Sequence, residues 1–343
     1  MKIFEGYSKG VNLGGWLSQC DHTRERYDRF IVEKDIETIK KWGLDHVRVP
    51  IDYNLIETVK GDRKEEGFGY IQKAIDWCGK YGLNMVLDVH KTFGYSFDDG
   101  EAESGFFDNE AYQERFYKMW EELAHRYGRY SDRVAFELLN EVTAKEYSDR
   151  WNTISTTCIK RIRKIAPNTK ILLGGYFNNS IEALKDLPWP LDENVIYNFH
   201  CYEPLVFTHQ GAGWIPTMNR DFRMPFESTY AQYNRNIKAN LGDYAKILIP
   251  EGASENDVID VSYFEGLIAE AVKVAEERNV ALYCGEFGVI ENATAEDTLK
   301  WYSEICSCFN KYRIGRAMWS YRNMDFGIAE ERMDGVREAL LRA

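Results

Sequence analysis

Two glutamates of this sequence lie at the ends of apolar runs. Glu141 ends the segment AFELLNE, and Glu286 lies in the segment YCGEFG. Two carboxylic acids in different environments are the minimal equipment for glycoside hydrolysis, because one protonates the leaving oxygen while the other attacks or activates water. The pair predicts this chemistry if the fold brings both groups to one bond.

Other polar and aromatic residues also end apolar runs. An arginine on a buried strand is costly unless a carboxylate pairs with it, so Arg48 is expected to be paired. The histidines show neither HExxH nor facial-triad spacing, so no metal is expected, and no cofactor. With Arg48, the candidates for binding substrate are His90, Asn140, His200, Tyr202 and Trp319.

Some neighbouring residues are interpreted as structural. Asp88 is expected to support the site from behind or to pack inside the fold. Asn12 and Trp16 are interpreted as strand structure, and Cys201 and Cys284 as core residues without a role.

Short apolar runs alternate with amphipathic segments along the chain. The apolar runs predict strands at Gly10–Leu17, His46–Ile51, Met85–His90, Val134–Asn140, Lys170–Tyr176, Val195–Tyr202, Ala281–Phe287 and Gly315–Tyr321. The amphipathic segments predict helices at Glu33–Trp42, Ile71–Lys80, Glu110–Tyr127, Ser148–Ile165, Val261–Arg278 and Glu296–Tyr312. This alternation predicts an α/β fold, a (β/α)8 TIM barrel. A doubly wound open sheet is the alternative, although no GxGxxG loop follows a strand. In a barrel, the ends of strands four and seven would bring Glu141 and Glu286 together.

The regular spacing is interrupted once, between Tyr202 and Val261. This stretch is too long for an ordinary βα loop, and its aromatic residues, Trp214 among them, predict that it is ordered. We therefore expect one catalytic domain over 1–343, with a subdomain inserted after strand six at about 203–260. Whether the insertion moves is left open.

Composition and charge exclude several classes of protein. The 343 residues carry 43 Lys and Arg against 55 Asp and Glu, a net charge of −12, which disfavours nucleic acid and anionic membranes as partners. Neither a signal peptide nor an 18-residue apolar run is found, so a cytoplasmic protein is expected, or a secreted one if a leader was removed. A monomer is expected, although the sequence does not give the oligomeric state. Seven cysteines suggest no disulfide framework. Aromatic residues make up 14% of the chain, and a minority on strand-end loops would suit the apolar faces of sugars.

Several segments together resemble family 5 glycoside hydrolases, and they follow one another in the family's order across almost the whole chain. These segments are GVNLGGWL (10–17), DHVRVPIDY (45–53), LDVH (87–90), AFELLNE (135–141), YNFHCYEP (197–204), YCGEFG (283–288) and AMWSY (317–321). The stretch FTHQ (207–210) is similar to cellulases of this family that carry a subdomain after strand six. The resemblance implies a retaining barrel enzyme with Glu141 as acid/base and Glu286 as nucleophile.

The resemblance also implies roles for the remaining site residues. Arg48 and Tyr202 would contact Glu286, and His200 would lie beside it at the sugar or the acid. Asn140 would bind the sugar 2-hydroxyl. His90 would contact hydroxyls, and Trp319 would be the stacking platform.

The function implied is a retaining endo-β-1,4-glucanase acting on cellulose-type or mixed-linkage β-glucan. A β-mannanase, a xyloglucanase or an exo-β-1,3-glucosidase would use the same scaffold. An inactive carbohydrate-binding barrel is the alternative from another class. The chain departs from the family pattern at Lys91, where related cellulases commonly have a second histidine after His90, so Lys91 could shift substrate preference or interact with Glu141.

Overall fold

The computed structural model describes residues 1–98, 101, 103–242, 245 and 247–343. Eight parallel strands close into a barrel in sequence order, because the first strand pairs with both the second and the eighth. The strands are β1 (Lys9–Asn12), β2 (His46–Asp52), β3 (Asn84–Lys91), β4 (Val134–Glu137), β5 (Ile171–Leu173), β6 (Val195–His200), β7 (Ala281–Phe287) and β8 (Gly315–Met318). The barrel prediction is confirmed, and the open-sheet alternative is wrong.

Helices connect the strands. They are α1 (Arg24–Arg29), α2 (Glu33–Lys41), α3 (Tyr53–Ile56), α4 (Glu65–Tyr81), α5 (Glu110–Tyr127), α6 (Ser148–Arg163), the short turn α7 (Tyr176–Asn179), α8 (Leu205–Thr208), α9 (Tyr230–Asn240), α10 (Val261–Glu277), α11 (Ala295–Tyr312) and α12 (Arg337–Arg342). Capping residues determine where two of these helices begin or end. The Asn109 side chain accepts from the first amides of α5, and Gly82 ends α4 in the left-handed conformation.

The predicted helices agree with the structure within a few residues, except that α4 begins at Glu65 rather than Ile71. Five strands, β1, β4, β5, β6 and β8, are shorter than predicted. Leu138 and Leu139 show the reason, since both are buried although the β4 ladder ends at Glu137. Apolar burial continues beyond the hydrogen-bonded ladder, so an apolar run overestimates the length of the strand.

The barrel interior changes from apolar to polar along the strands. Side chains alternate across a strand, so every second residue of a barrel strand faces inward. One buried cluster contains Val86, Ala135, Ile196 and Tyr283 from four strands. Two residues further along the same strands lie Asp88, Glu137, Asn198 and Gly285. The apolar layer thus forms a floor beneath polar groups on the carboxyl side of the barrel.

The segment between β6 and α10 contains α8 and α9. Phe226 and Tyr233 are buried there, whereas Trp214 is 52% exposed. Residues 243, 244 and 246 of the predicted insertion lie outside the described residues, as do residues 99, 100 and 102 in the loop after β3. The boundaries of the insertion stay a prediction. In the described part of the chain, no helix is long and apolar enough to cross a membrane.

Two glycines of α4 allow a matched test of packing. A Cβ on Gly67 would overlap the carbonyl oxygen of Leu55, whereas Gly69 has open space around it. We expect Gly67→Ala to destabilise the fold by about 1–3 kcal/mol through overpacking. Gly69→Ala should stabilise it by about 1 kcal/mol, because alanine has the higher helix propensity. Denaturant unfolding of both variants measures the difference, and equal midpoints would contradict this packing of α3 against α4.

Candidate active site

Arg48 lies on β2 and is completely buried inside the barrel. Its Nε and Nη2 donate to the two oxygens of Glu137, at 2.7 and 2.8 Å. Its Nη1 donates to Glu286 Oε1 at 2.8 Å, and its Nη2 lies 3.0 Å from Asp88 Oδ2. One guanidinium therefore contacts three buried carboxyl groups, and the predicted pairing of Arg48 is observed.

Two asparagines also contact this guanidinium. Asn12 Oδ1 accepts from Nη1 at 2.9 Å, and Asn140 Oδ1 accepts from Nη2 at 2.8 Å. The interpretation of Asn12 as strand structure alone is incomplete, because Asn12 helps to orient the guanidinium at the centre of the site. The amide Nδ2 of Asn140 is buried and has no hydrogen-bond partner among the described residues.

Glu286 accepts hydrogen bonds at both carboxyl oxygens. Arg48 binds Oε1, and the Tyr202 hydroxyl donates to Oε2 at 2.8 Å. The register between β6 and β7 shifts at this point, so that His200 pairs with Glu286. The irregularity re-aims the Glu286 side chain, as bulges near barrel rims commonly do.

Glu141 lies just beyond β4 in a different environment. Its backbone has a φ of 42°, and the Tyr95 hydroxyl donates to its carbonyl oxygen at 2.6 Å. Burial raises the pKa of the Glu141 carboxyl, while a hydrogen bond from Asn178 opposes that shift. His200 Nδ1 lies 2.7 Å from Glu141 Oε1.

His200 links the two glutamates. Its Nδ1 is 3.7 Å from Glu286 Oε2, and the nearest ligating atoms of Glu141, His200 and Glu286 all lie within 4.8 Å of one another. Burial lowers the pKa of His200 to about 4, so the ring is neutral near pH 7. A cation would need the same atoms, which the hydrogen bonds described here already use, and the expectation of a metal-free site stays a prediction.

His90 and Trp319 pack against each other, and His90 is connected to Arg48 through Asp88. Their rings stack with centroids 5.7 Å apart and planes 5° from parallel. His90 Nδ1 lies 2.6 Å from Asp88 Oδ2, which connects this pair to Arg48. Burial lowers the pKa of His90 to about 4. Asp88 thus supports the site from behind, which is one of the two alternatives predicted for it.

The predicted site residues lie at or just beyond the carboxyl ends of the strands, except Arg48, which lies deeper in the barrel as the third residue of β2. Lys91 does not reach Glu141 and instead forms an ion pair with Glu101. Trp214, on the insertion, packs near Phe326 at 6.3 Å between ring centroids. Cys201 and Cys284 are buried, as expected for core residues.

The sequence reasoning missed four polar residues that touch the site. Asn198 Nδ2 donates to Glu137 at 2.8 Å, and Asn178 Nδ2 donates to Glu141 at 3.0 Å. Glu137 could have been found, because it lies four residues before Glu141 at a β4 position whose side chain faces into the barrel. The fourth residue is Asn179, which follows Asn178 in a polar segment whose sequence shows no motif.

Comparison with known proteins places the chain among cellulases. Residues 8–325 match the model of the cellulase family, glycosyl hydrolase family 5. The chain is 50% identical to Cellodextrinase A of Ruminococcus flavefaciens over 91% of its own length and 84% of that protein. It is 39% identical to Endoglucanase C of Acetivibrio thermocellus over 98% and 97% of the two chains. A solved hyperthermophilic endo-β-1,4-glucanase in complex with substrate shares the fold, with a TM-score of 0.77, 20% identity and coverage of 98% and 97%.

The buried carboxyl of Asp88 generates a prediction about stability and pH. Desolvation raises its pKa to about 8, despite the opposing effect of Arg48. Between pH 4 and 8 the unfolded chain ionises at Asp88 while the folded protein keeps the proton, so this residue destabilises the fold increasingly as pH rises. Asp88→Asn removes that titration, and the melting temperature of the variant minus that of the wild type should therefore increase from pH 4 to pH 8.

Thermal unfolding at pH 4, 6 and 8 measures this difference. Asp132→Asn is the control, because it makes the same substitution at a side chain that is 72% exposed. A constant difference for Asp88→Asn would contradict the raised pKa.

Proposed function

Since the chain belongs to glycosyl hydrolase family 5, we propose that it is an endo-β-1,4-glucanase that hydrolyses internal bonds of cellulose-type or mixed-linkage β-glucan with retention of configuration. One observation carries the mechanism. Oxygens of Glu141 and Glu286 lie within 4.8 Å of each other, in unlike environments. Carboxyl groups about 5–5.5 Å apart are typical of retaining enzymes, whereas inverting enzymes need about 6.5–9.5 Å to place a water between them.

In the first step, Glu286 attacks the anomeric carbon. Arg48 and Tyr202 bind its two oxygens and thereby fix the direction of the attacking lone pair. Glu141 gives its proton to the leaving glycosidic oxygen as that bond breaks. Burial raises the pKa of Glu141, which favours the protonated form that the acid step needs.

In the second step, Glu141 acts as the base. It takes a proton from water, the water oxygen attacks the anomeric carbon, and the bond to Glu286 breaks. The carboxylate of Glu286 and the proton on Glu141 are both restored, so the cycle closes without a cofactor. Two inversions at the anomeric carbon give net retention.

Three further groups support sugar binding. Arg48 holds the Asn140 carbonyl and leaves its Nδ2 without a partner, which suits donation to the sugar 2-hydroxyl. Trp319 lies in a cluster against which Tyr202 packs, and His90 stacks on the Trp319 ring. The neutral His90 imidazole suits contact with sugar hydroxyls.

Replacing Glu286 tests the nucleophile. Glu286→Gly should lower kcat by about 10⁴-fold or more, because the covalent step is lost. With an activated aryl β-cellobioside, added azide should restore turnover and give an α-glycosyl azide, since azide then attacks once from the opposite face.

Replacing Glu141 is the matched experiment. Glu141→Ala with the same substrate and azide should give the β-glycosyl azide, because azide replaces the water of the second step. Retained full activity of Glu286→Gly, or the same azide anomer from both variants, would overturn the assignment.

Product analysis tests endo action. Digestion of barley β-glucan or carboxymethyl cellulose should release mixed oligosaccharides and lower viscosity early, as cleavage inside a chain does. Glucose as the sole product would contradict endo action. Activity confined to soluble cellodextrins would instead favour the specificity named in Cellodextrinase A, and mannan, xyloglucan and laminarin complete the panel.

A further inference from the structure

The chain forms an unusual turn directly after β5. Phe177, Asn178 and Asn179 have φ angles of 49°, 56° and 56°, all in the left-handed region. That region costs about 1–2 kcal/mol per residue for side chains other than glycine, although asparagine tolerates it best. Three such residues in succession persist only where surrounding contacts hold them.

Those contacts come from the segment that follows Glu141. The amide of Phe177 donates to the carbonyl of Thr143 at 3.2 Å, and the amide of Asn178 donates to that of Val142 at 3.0 Å. The Tyr95 hydroxyl clamps the same segment, since it donates to the Glu141 carbonyl and accepts from the Thr143 amide at 2.9 Å. The left-handed turn and the backbone of Glu141 therefore form one hydrogen-bonded unit.

The turn presents two consecutive side-chain amides to the site. Asn178 Nδ2 donates to Glu141 Oε2 at 3.0 Å. Asn179 is completely buried, and its Nδ2 lies 3.4 Å from His200 Nε2. His200 Nδ1 in turn lies 2.7 Å from Glu141 Oε1.

This chain of contacts fixes where the protons lie. An amide Nδ2 carries only donors, so His200 Nε2 must accept and the neutral ring must carry its proton on Nδ1. That Nδ1–H donates to Glu141 Oε1. The transferable proton of Glu141 is thereby directed to Oε2, the oxygen beside Asn178.

We propose that the left-handed turn 177–179 is a positioning element for the proton donor, in which Asn178 holds Glu141 Oε2 and Asn179 sets the His200 tautomer that holds Oε1. The proposal rests on the assignment of Glu141 as acid/base. It adds Asn178 and Asn179 as positioning residues to a site otherwise built on strand ends.

Several ionisable groups act on Glu141 besides this turn. They are Arg48 from β2, Asp88 and His90 from β3, His200 from β6, Tyr202 after it and Glu286 from β7. These groups stay in place when the Asn178 side chain is altered. A change in the titration of Glu141 then reports the lost amide.

The sign of the change follows from the donor. An N–H on a carboxylate favours the ionised form and lowers its pKa, so removing it raises the pKa of Glu141. Because Glu141 must be protonated for the first step, the alkaline limb of kcat/KM should move to higher pH.

Matched glycine variants separate this effect from backbone changes. Asn178→Gly keeps the left-handed backbone and removes the amide, and Phe177→Gly makes the same change at a neighbour that does not contact Glu141. Asn178→Asp places a carboxylate beside Oε2 and should move the alkaline limb further.

Asn179→Leu removes the donor to His200 and should lower kcat on cellohexaose several-fold. The effect on a dinitrophenyl β-cellobioside should be smaller, because its leaving group needs no proton.

The pH profiles decide between the possible outcomes. We expect the alkaline limb to move upward for Asn178→Gly and Asn178→Asp and to stay in place for Phe177→Gly. A limb that stays or moves to lower pH in both Asn178 variants would overturn the proposal. A higher KM with an unmoved alkaline limb would indicate that Asn178 contacts the sugar. This result would also overturn the proposal.

One further measurement distinguishes failure of this proposal from failure of the proposed function. Glu141→Ala should retain far more activity on the dinitrophenyl substrate than on cellohexaose. If it does not, the acid/base assignment itself is wrong. If it does, and the Asn178 profiles match the wild type, only the positioning role of the turn is excluded.

Discussion

The site depends on one buried cation. The Arg48 guanidinium is wholly enclosed and contacts Glu137, Asp88 and Glu286. Removing one partner from such a cluster leaves an uncompensated charge in a medium of low polarity, which is far more costly than losing an exposed pair. The donors of a guanidinium lie in a rigid plane, so each of its partners is also fixed in direction. The barrel therefore holds Glu286 at its mouth through a group anchored inside it.

The two glutamates differ because only one of them contacts this cation. Glu286 receives Arg48 and Tyr202, whereas Glu141 receives Asn178 and the neutral His200. A charged donor on one carboxyl and only neutral donors on the other are the asymmetry that acid and nucleophile roles require. The short distance between the two carboxyl groups would not by itself determine which one is the acid and which one is the nucleophile.

The fold was largely predictable, because parallel barrel strands covered by helices produce apolar runs that alternate with amphipathic segments. The strand-end residues were predictable for the same reason. The end of an apolar run marks the carboxyl end of a strand, and the carboxyl ends of all eight strands lie together at the mouth of the barrel. Glu137 was missed because it lies within a run rather than at its end. Asn178 was missed because nothing in the letters FNNS shows three successive left-handed residues.

By itself, the sequence determined which side chains reach the mouth of the barrel, since that follows from the period of strands and the closure of a parallel sheet. Tertiary structure alone decided how they pair. Oxygens of Glu141 and Glu286 lie within 4.8 Å of each other, and Glu286 lies at the register shift between β6 and β7. The partners of Glu141 depend on a turn held by backbone hydrogen bonds from another loop. Such contacts join residues far apart in the chain, and no local pattern encodes them.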